Sequence, residues 1–521
     1  MANGGEKTSE AGERAGGYAW YGLGVLVLVY MLNFIDRQIL SILANDIKAD
    51  LKLSDADLGF LYGTAFAIFY ALFGVPLGRL ADGWHRVRLL TLGLGLWSLM
   101  TVLSGFARNA AVLTFARVGV GVGEASATPA AYSLIADWFP ARIRGTALGI
   151  YSAGLFVGSG LSLLLGGAIV EAWNGAYPGG GPLGLAGWQA AFIGVGLPGL
   201  ALAMWVLTLR EPVRGAIDGL PSTVDEHPWQ IFAGQLFQLL PPLTVIEAAR
   251  RGGRALTLNL TGAAAIGLIA FALARVTGNL QQFLFLGLGY YAVFSWACAL
   301  RVRDPAAFAL TWASPAFMGI VIAYGANCFV GYTVSYWAAP YAERVFAVDK
   351  AALGLLIGAP AAMGGFLGVI FGGRLADLLQ DRFETGRIAV LAIALVLPIP
   401  IVLIGYSTAD PMLFYILAFA VQFATSTALG AAAAASQALV LPRMRGVATA
   451  IFFLGTALFG LGLGPFTAGF VSEATGSLAL GVKSTLLVAP IGLVAMALAL
   501  RTAPAASRSL LERARVAGEP V

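Results

Sequence analysis

The sequence predicts an all-α membrane protein of fourteen spans, built as two six-helix bundles in pseudo-two-fold arrangement with two extra transmembrane helices between the halves. Three observations predict it. Of the 521 residues 59% are hydrophobic and only 11% are charged, a balance that belongs to a chain immersed in lipid. Fourteen apolar stretches reach about 20 residues, the length that crosses ~30 Å of hydrocarbon at ~1.5 Å per residue. The chain also repeats itself: GRLAD stands at 78–82 and again at 373–377, and LGFLYG at 58–63 faces LGLLIG at 353–358, both at an offset of 295 residues.

Residues 1–17 are polar and mixed in charge, without the cationic start, short apolar core and cleavage site of a secretory signal, and read as a disordered cytoplasmic tail. The first six spans fall near 18–44, 56–80, 87–107, 110–138, 145–171 and 187–209, giving an N-terminal bundle over 18–209. A central linker, 210–315, holds two further apolar runs at 255–275 and 280–300. The C-terminal bundle, 316–500, has spans near 316–342, 351–376, 387–407, 411–440, 446–472 and 481–500, followed by a cytoplasmic tail over 501–521. Connections on the side of the N-terminus hold 23 of the 32 Lys and Arg residues. By the positive-inside rule both termini are therefore cytoplasmic, in a cell membrane such as the bacterial inner membrane. The modest positive charge is topological and implies no nucleic-acid partner.

Several chemistries are excluded. Cys298 and Cys328 lie in apolar spans and His85 and His227 in polar connections, so neither a disulfide framework, a metal site nor a cofactor is expected. No His-, Cys- or Ser-based catalytic set lies within reach, which argues against an enzyme. The glycine runs GVGVG at 119–123 and GLGLG at 460–464 follow no strand and lead into no Gly-Lys-Ser/Thr. They are packing surfaces of apolar helices, not phosphate loops.

The repeat continues in PARIRGTA at 140–147 and PRMRGVA at 442–448, where Arg144-Gly145 and Arg445-Gly446 are 301 apart, a small insertion having changed the register. An even number of spans separates corresponding elements, so the halves share one orientation and are related by an axis along the membrane normal. GRLADGWHRVR at 78–88 resembles the loop motif of the major facilitator superfamily, with His85 in place of the usual glycine, and GRLADLLQDR is a looser second copy. ARVGVGVGEA at 116–125 resembles that superfamily's fourth-helix motif, and FIDRQ in the first helix paired with GEA in the fourth resembles the Spinster subgroup. The likeness covers nearly the whole chain and implies a major facilitator fold. The extra helix pair departs from the twelve-span pattern. It enters and leaves on the cytoplasmic side, between AARRGGR and RVRDP, so it leaves the second half's orientation unchanged, and a peripheral position is expected.

Charge inside the spans marks the candidate site. A charged side chain at mid-membrane costs about 2.5–3.5 kcal/mol on insertion scales and needs a partner or water. Asn33, Asp36 and Arg37 form a polar stripe at i, i+3, i+4 spacing on the first helix. Asp36 stands ~12 Å from the outer end of that helix and Arg117 of the fourth helix ~10 Å from the outer surface, so the two share a level, with Glu124 two turns deeper on the same face as Arg117. One reading is a set of structural ion pairs closing the bundle; the other is a coupling site. The repeat favours the second, because Asp36 maps onto Gly331 and Glu124 onto 419–425, where no carboxylate stands. Burial favours the neutral acid and a nearby arginine the carboxylate. An acid that loses its arginine as the halves rock would therefore take up a proton. The resemblance implies the same roles: Asp36 and Glu124 as protonation switches, Arg37 and Arg117 as their partners or as anion binders, in a proton-coupled rocker-switch transporter.

GRLAD lies where the second helix reaches the cytoplasm. Asp82 opposes the helix dipole there and needs a cation, Arg86 one turn on or one from the other half. Gly78, Arg79, Asp82, Arg86, Asp137, Arg144 and, in the second copy, Asp377 are the expected cytoplasmic gate, with plain loop ordering as the other reading. The block YGANCFVGYTVSYWAAPY at 324–341 offers Asn327, Tyr332, Ser335, Tyr336 and Trp337 as cavity lining, or alternatively as packing. With Asn33, Arg37 and Arg117 they suit a ligand with an anionic or zwitterionic head and an apolar tail, and the resemblance implies a lysophospholipid or sphingoid phosphate. A small organic anion or a drug-like compound is the alternative. The remaining partners expected are protons and membrane lipids, and the expected state is a monomer.

Overall fold

The computed structural model describes residues 16–218 and 227–520. The tail expected over 1–17 lies outside them but for its last two positions. Among the described residues fourteen helices are long and apolar enough to cross a membrane: α1 Gly17–Leu51, α2 Asp55–Gly83, α3 Arg86–Ser104, α4 Ala110–Trp138, α5 Ala141–Ala176, α6 Gly187–Leu207, α7 Gly253–Thr277, α8 Leu280–Arg303, α9 Pro315–Phe346, α10 Lys350–Arg382, α11 Gly386–Gly405, α12 Pro411–Gln437, α13 Pro442–Thr475 and α14 Leu478–Arg508. No strand occurs among the described residues. Several helices outrun the apolar stretch that predicts them, because their polar ends are packed between the bundles instead of stopping at the lipid boundary. α1 continues through NDIKADL to Leu51 before Lys52 turns left-handed. The next helix restarts at once on a capping box, with Ser54 and Asp57 exchanging side-chain and backbone hydrogen bonds.

The same pairings recur in the two halves: α1 on α5 and α9 on α13, α2 on α4 and α10 on α12, α3 on α6 and α11 on α14. Between the halves α1 crosses α9, α2 meets α13 and α5 meets α10. The α1–α9 crossing joins equivalent residues, since Ser41 donates to the Tyr336 carbonyl and Asn45 to the Pro340 carbonyl, each pair 295 positions apart. Equivalent residues meet directly only at a two-fold axis, so the pseudo-dyad runs through this crossing. The two flanking seams obey it as well. A Cβ on Gly469 of α13 would stand 2.1 Å from the Asp55 carbonyl oxygen of α2, and one on Gly167 of α5 would stand 2.4 Å from the Lys350 carbonyl oxygen of α10. Asp55 and Lys350 are again 295 apart, and only glycine lets backbones approach so closely.

These inter-bundle contacts all involve the ends of α1 and α2, and of α9 and α10, that lie away from the face carrying both chain ends. We call that face the terminal face and the other the opposite face. Among the described residues no ion pair joins the two six-helix bundles on the terminal face. α7 is apolar around most of its surface and largely exposed, as a lipid-facing helix is, whereas α8 is about half buried. Before them come the helices Pro228–Leu239 and Leu243–Arg250, bent by 96°, the first of which packs against the terminal-face end of α2, with Phe232 on the cluster of Leu80, Ala81 and Leu89.

Candidate functional site

α1 carries Asn33, Asp36 and Arg37 on successive turns, and α4 brings Arg117 and Glu124 against them. All five are buried; Arg37, the most open, is 6% exposed. Arg37 Nη2 donates to Glu124 Oε2 at 2.8 Å, and Asn33 lies near the same carboxylate. Three rings enclose the Arg37 guanidinium, with centroids at 4.7 Å for Phe34, 4.5 Å for Phe66 and 4.9 Å for Tyr70. Arg117 lies over Phe66 at 5.6 Å, so one ring serves two cations.

Asp36 and Arg117 share a level, but their charges do not pair. Arg117 Nη1 donates to the main-chain oxygen of Asp36 at 3.3 Å, and its Nε and Nη2 have no partner. The Asp36 carboxyl turns toward Trp97 and Thr101 of α3, and neither of its oxygens accepts a hydrogen bond. The cluster therefore holds one acid clasped by an arginine and one acid without a partner.

The α9 block divides between two tasks. Asn327 donates to the Thr425 carbonyl at 3.0 Å inside the C-terminal bundle, and Tyr332 is half-buried facing the Arg37 side. Ser335 and Tyr336 belong to the bundle interface, and Trp337 bonds within its own bundle. The Ser335 carbonyl accepts from Gln38 at 2.7 Å, Tyr336 stacks on Tyr62 at 4.2 Å, and the Trp337 indole donates to the Pro465 carbonyl at 2.9 Å.

Of the expected gate set, Asp137 meets Arg86, which is 1% exposed, while Arg144 and Asp377 find other partners. Arg86 turns to Asp137 and Glu211 and donates to the Ser133 and Pro212 carbonyls. Asp137 also accepts from Gly215 N, and Arg144 grips Asp218 at 2.9 Å. These bonds tie 211–218 across the terminal-face ends of α3 and α4. Asp82 is exposed with Arg214 as a nearby cation, Gly78 and Arg79 lie beside it on α2, and Asp377 reaches Arg387 at 3.9 Å. Among the described residues the ion pairs of Arg86, Asp137, Arg144 and Asp377 stay within one bundle or run to 211–218. On the same face Arg443 joins Asp304 to Glu519, and its hydrogen bonds hold the Asp304 carboxyl below the usual carboxylate range. Removing one partner of a buried pair costs roughly 3–5 kcal/mol. Arg86→Ala is accordingly expected to lower the unfolding temperature and to speed tryptic cleavage at Arg210 and Arg214; unchanged proteolysis would show that Arg86 does not anchor the segment.

Sequence reasoning passed over the network that closes the opposite face. Asp55 accepts from Lys48 at 2.6 Å, from both Arg344 terminal nitrogens at 2.8 Å and from Ser472 at 2.7 Å. Lys350 binds Glu343 at 2.7 Å and Asp46 at 3.2 Å, and Asn45 donates to Glu343. Above it a cavity of about 600 Å³ opens outward, lined by Lys48, Asp55, Arg344 and Glu473 among others.

A model of the Major Facilitator Superfamily matches residues 26–377. The chain belongs to that superfamily. It is 29% identical to an MFS-type efflux pump of Mycolicibacterium smegmatis over 95% of each chain. It is 28% identical to the protein spinster of Drosophila melanogaster, over 38% of this chain and 31% of that one, so it spans about a third of the insect relative. The crystal structure of a bacterial homolog to the human lysosomal transporter Spinster, inward-facing and unoccupied, matches with a TM-score of 0.67 and 26% identity over 96% of this chain and 99% of the other. This major facilitator protein is thus Spinster-like and a multi-pass small-molecule transporter, not an enzyme.

Proposed function

We propose that the protein is a proton-coupled secondary transporter that moves an amphipathic, lipid-like anion or zwitterion by rocking the bundles 18–209 and 316–500 about the α1–α9 crossing. Both termini are cytoplasmic in this reading, which makes the conformer inward-facing: ion pairs close the opposite face and none between described residues closes the terminal one. The carrying observation is the unequal state of two acids in one dry cluster. Glu124 is clasped by Arg37, while both Asp36 oxygens lack a partner. A buried carboxylate without hydrogen bonds is costly, so Asp36 is the acid placed to take up a proton. When rocking moves α9 and its Tyr332 against the cluster on α1 and α4, Arg37 and Arg117 are redistributed between the two acids and a proton moves.

Arg37, the more open of the two, and the unpartnered nitrogens of Arg117 supply the cationic pole, with the Phe66 ring against both. Tyr332 faces it from α9, and Phe34, Phe66 and Tyr70 supply apolar wall. An anionic head against the arginines with its tail along the rings satisfies both. Export of a drug-like compound is the second reading, favoured by the full-length likeness to a mycobacterial efflux pump. Binding of a lysophospholipid, a sphingoid phosphate, a sugar acid and a lipophilic drug to purified protein separates them. The proposal expects the two lipids to bind and Arg37→Ala to weaken them at least tenfold. Binding of the drug alone would replace the lipid by the second reading.

A further inference from the structure

The pseudo-dyad relates the α2–α13 seam to the α5–α10 seam, yet α8 covers only the first. Its opening turns touch both bundles at once. Phe285 sits against Phe60 at 5.2 Å and Phe69 at 5.8 Å on α2, while Phe283 meets Phe466 of α13 at 5.8 Å. Gln282 between them is 1% exposed, and its Nε2 donates to the Gly462 carbonyl of α13 at 3.2 Å. That same carbonyl accepts from Thr64 of α2, so one oxygen receives a bond from the N-terminal bundle and one from the extra hairpin.

Most of the hairpin's other ties run to the N-terminal bundle; the exceptions are Gly289, which lies beside Leu458 of α13 as well as Ile68 of α2, and Asp304 at the terminal face, held by Arg443. Gln281 donates to Thr114 of α4 at 3.3 Å. At the terminal face the helix Pro228–Leu239, which packs against both α8 and α2, sets Trp229 on Trp84 at 4.9 Å and Phe232 on the end of α2. Opening the opposite face must pull α13 away from α2. A helix fixed to α2 and α4 then keeps Phe285 in place and gives up Gln282 and Phe283.

We propose that the α7–α8 hairpin travels with the N-terminal bundle and latches onto α13, through Gln282 and Phe283, only while the opposite face is closed. It rests on the two-body rocking reading, and it gives the extra helices a task that a twelve-span transporter leaves to the seam itself. The Gln282 Oε1, buried without a partner, fits a side chain placed for one bond in one state. Losing that bond makes the closed face easier to open.

Spin-label distances in the full-length, cysteine-free protein test this. One pair, at Ala49 and Ala474, reads opening of the opposite face; Val276 on the hairpin tip is paired with Arg108 of the N-terminal bundle and, separately, with Leu480 of the C-terminal bundle. Gln282→Leu, and Phe283→Leu should the first fold poorly, are expected to raise the long-distance fraction of the first pair at least twofold. Val276–Leu480 should lengthen with it and Val276–Arg108 stay constant. Superposition of both variants on the parent, with opening seen in Asp55→Asn, rejects the latch alone. A first pair static in every variant, Asp55→Asn included, rejects the rocking reading and the latch with it. A Val276–Arg108 distance that changes while Val276–Leu480 holds assigns the hairpin to the other bundle and overturns the proposal.

Discussion

Replacing Glu124 by glutamine is expected to abolish uptake driven by a pH gradient while exchange of substrate across the membrane continues. Glutamine keeps the shape of the side chain and can still accept from Arg37, but it carries no titratable proton, so the coupled step has nothing to transfer. The substitution also strips Arg37 of its counter-charge, and a buried cation left unpaired costs about 3–5 kcal/mol. Lower thermal stability is therefore expected alongside the uncoupling. Asp36→Asn separates the two effects, since Asp36 has no ion pair to lose. It should uncouple with little change in stability. In proteoliposomes, with a labelled lysophospholipid inside and out, gradient-driven accumulation should fall at least tenfold in both variants while counterflow stays within twofold of the parent. Undiminished accumulation in Glu124→Gln would remove Glu124 from the coupling path.

The site was legible where it broke a pattern. Two adjacent charges in an apolar run cannot be ordinary lipid-facing residues, and helical spacing alone placed Arg117 level with Asp36. Which oxygen meets which nitrogen was not legible. Spacing fixes a residue's height and face, but the Asp36 side chain turns to Trp97 and Thr101 of α3, a neighbour that no periodicity in α1 or α4 reveals. The α9 block shows the same limit. Its aromatics have the composition of a cavity wall, yet α9 lies on the pseudo-dyad, so Tyr336 is taken up by the bundle interface and Trp337 by a bond to α13 of its own bundle.

The closure of the opposite face left a fainter trace, which the repeat holds. At the offset of 295, Lys48 corresponds to Glu343 and Asp55 to Lys350. The charges are reversed between halves, and each half forms its own pair across the same seven-residue interval, Lys48 with Asp55 and Glu343 with Lys350. Taken singly these residues look like the solvated ends of helices, where ion pairs contribute little. Their meaning comes from the two-fold axis, which sets a reversed pair against its counterpart.

That placement makes Asp55→Asn the second large effect. Asp55 is 3% exposed, and its two oxygens gather a lysine of its own bundle, a bidentate arginine of the other and the Ser472 hydroxyl of α13. Asparagine cannot hold the charge-assisted fork with Arg344, and Lys48 and Arg344 are then left as neighbouring like charges. Hydrogen bonds to charged groups contribute about 1.5–3 kcal/mol, and every 1.4 kcal/mol is tenfold in an equilibrium. Opening at the opposite face should gain one to two decades in population, read as growth of the long Ala49–Ala474 spin-label distance. Lys350→Gln, at the equivalent place across the dyad, should act in the same direction but less strongly, because Lys350 keeps only single bonds to Asp46 and the Ile42 carbonyl across the seam. A larger shift in Lys350→Gln than in Asp55→Asn would move the lock from the α2–α13 seam to the α5–α10 seam.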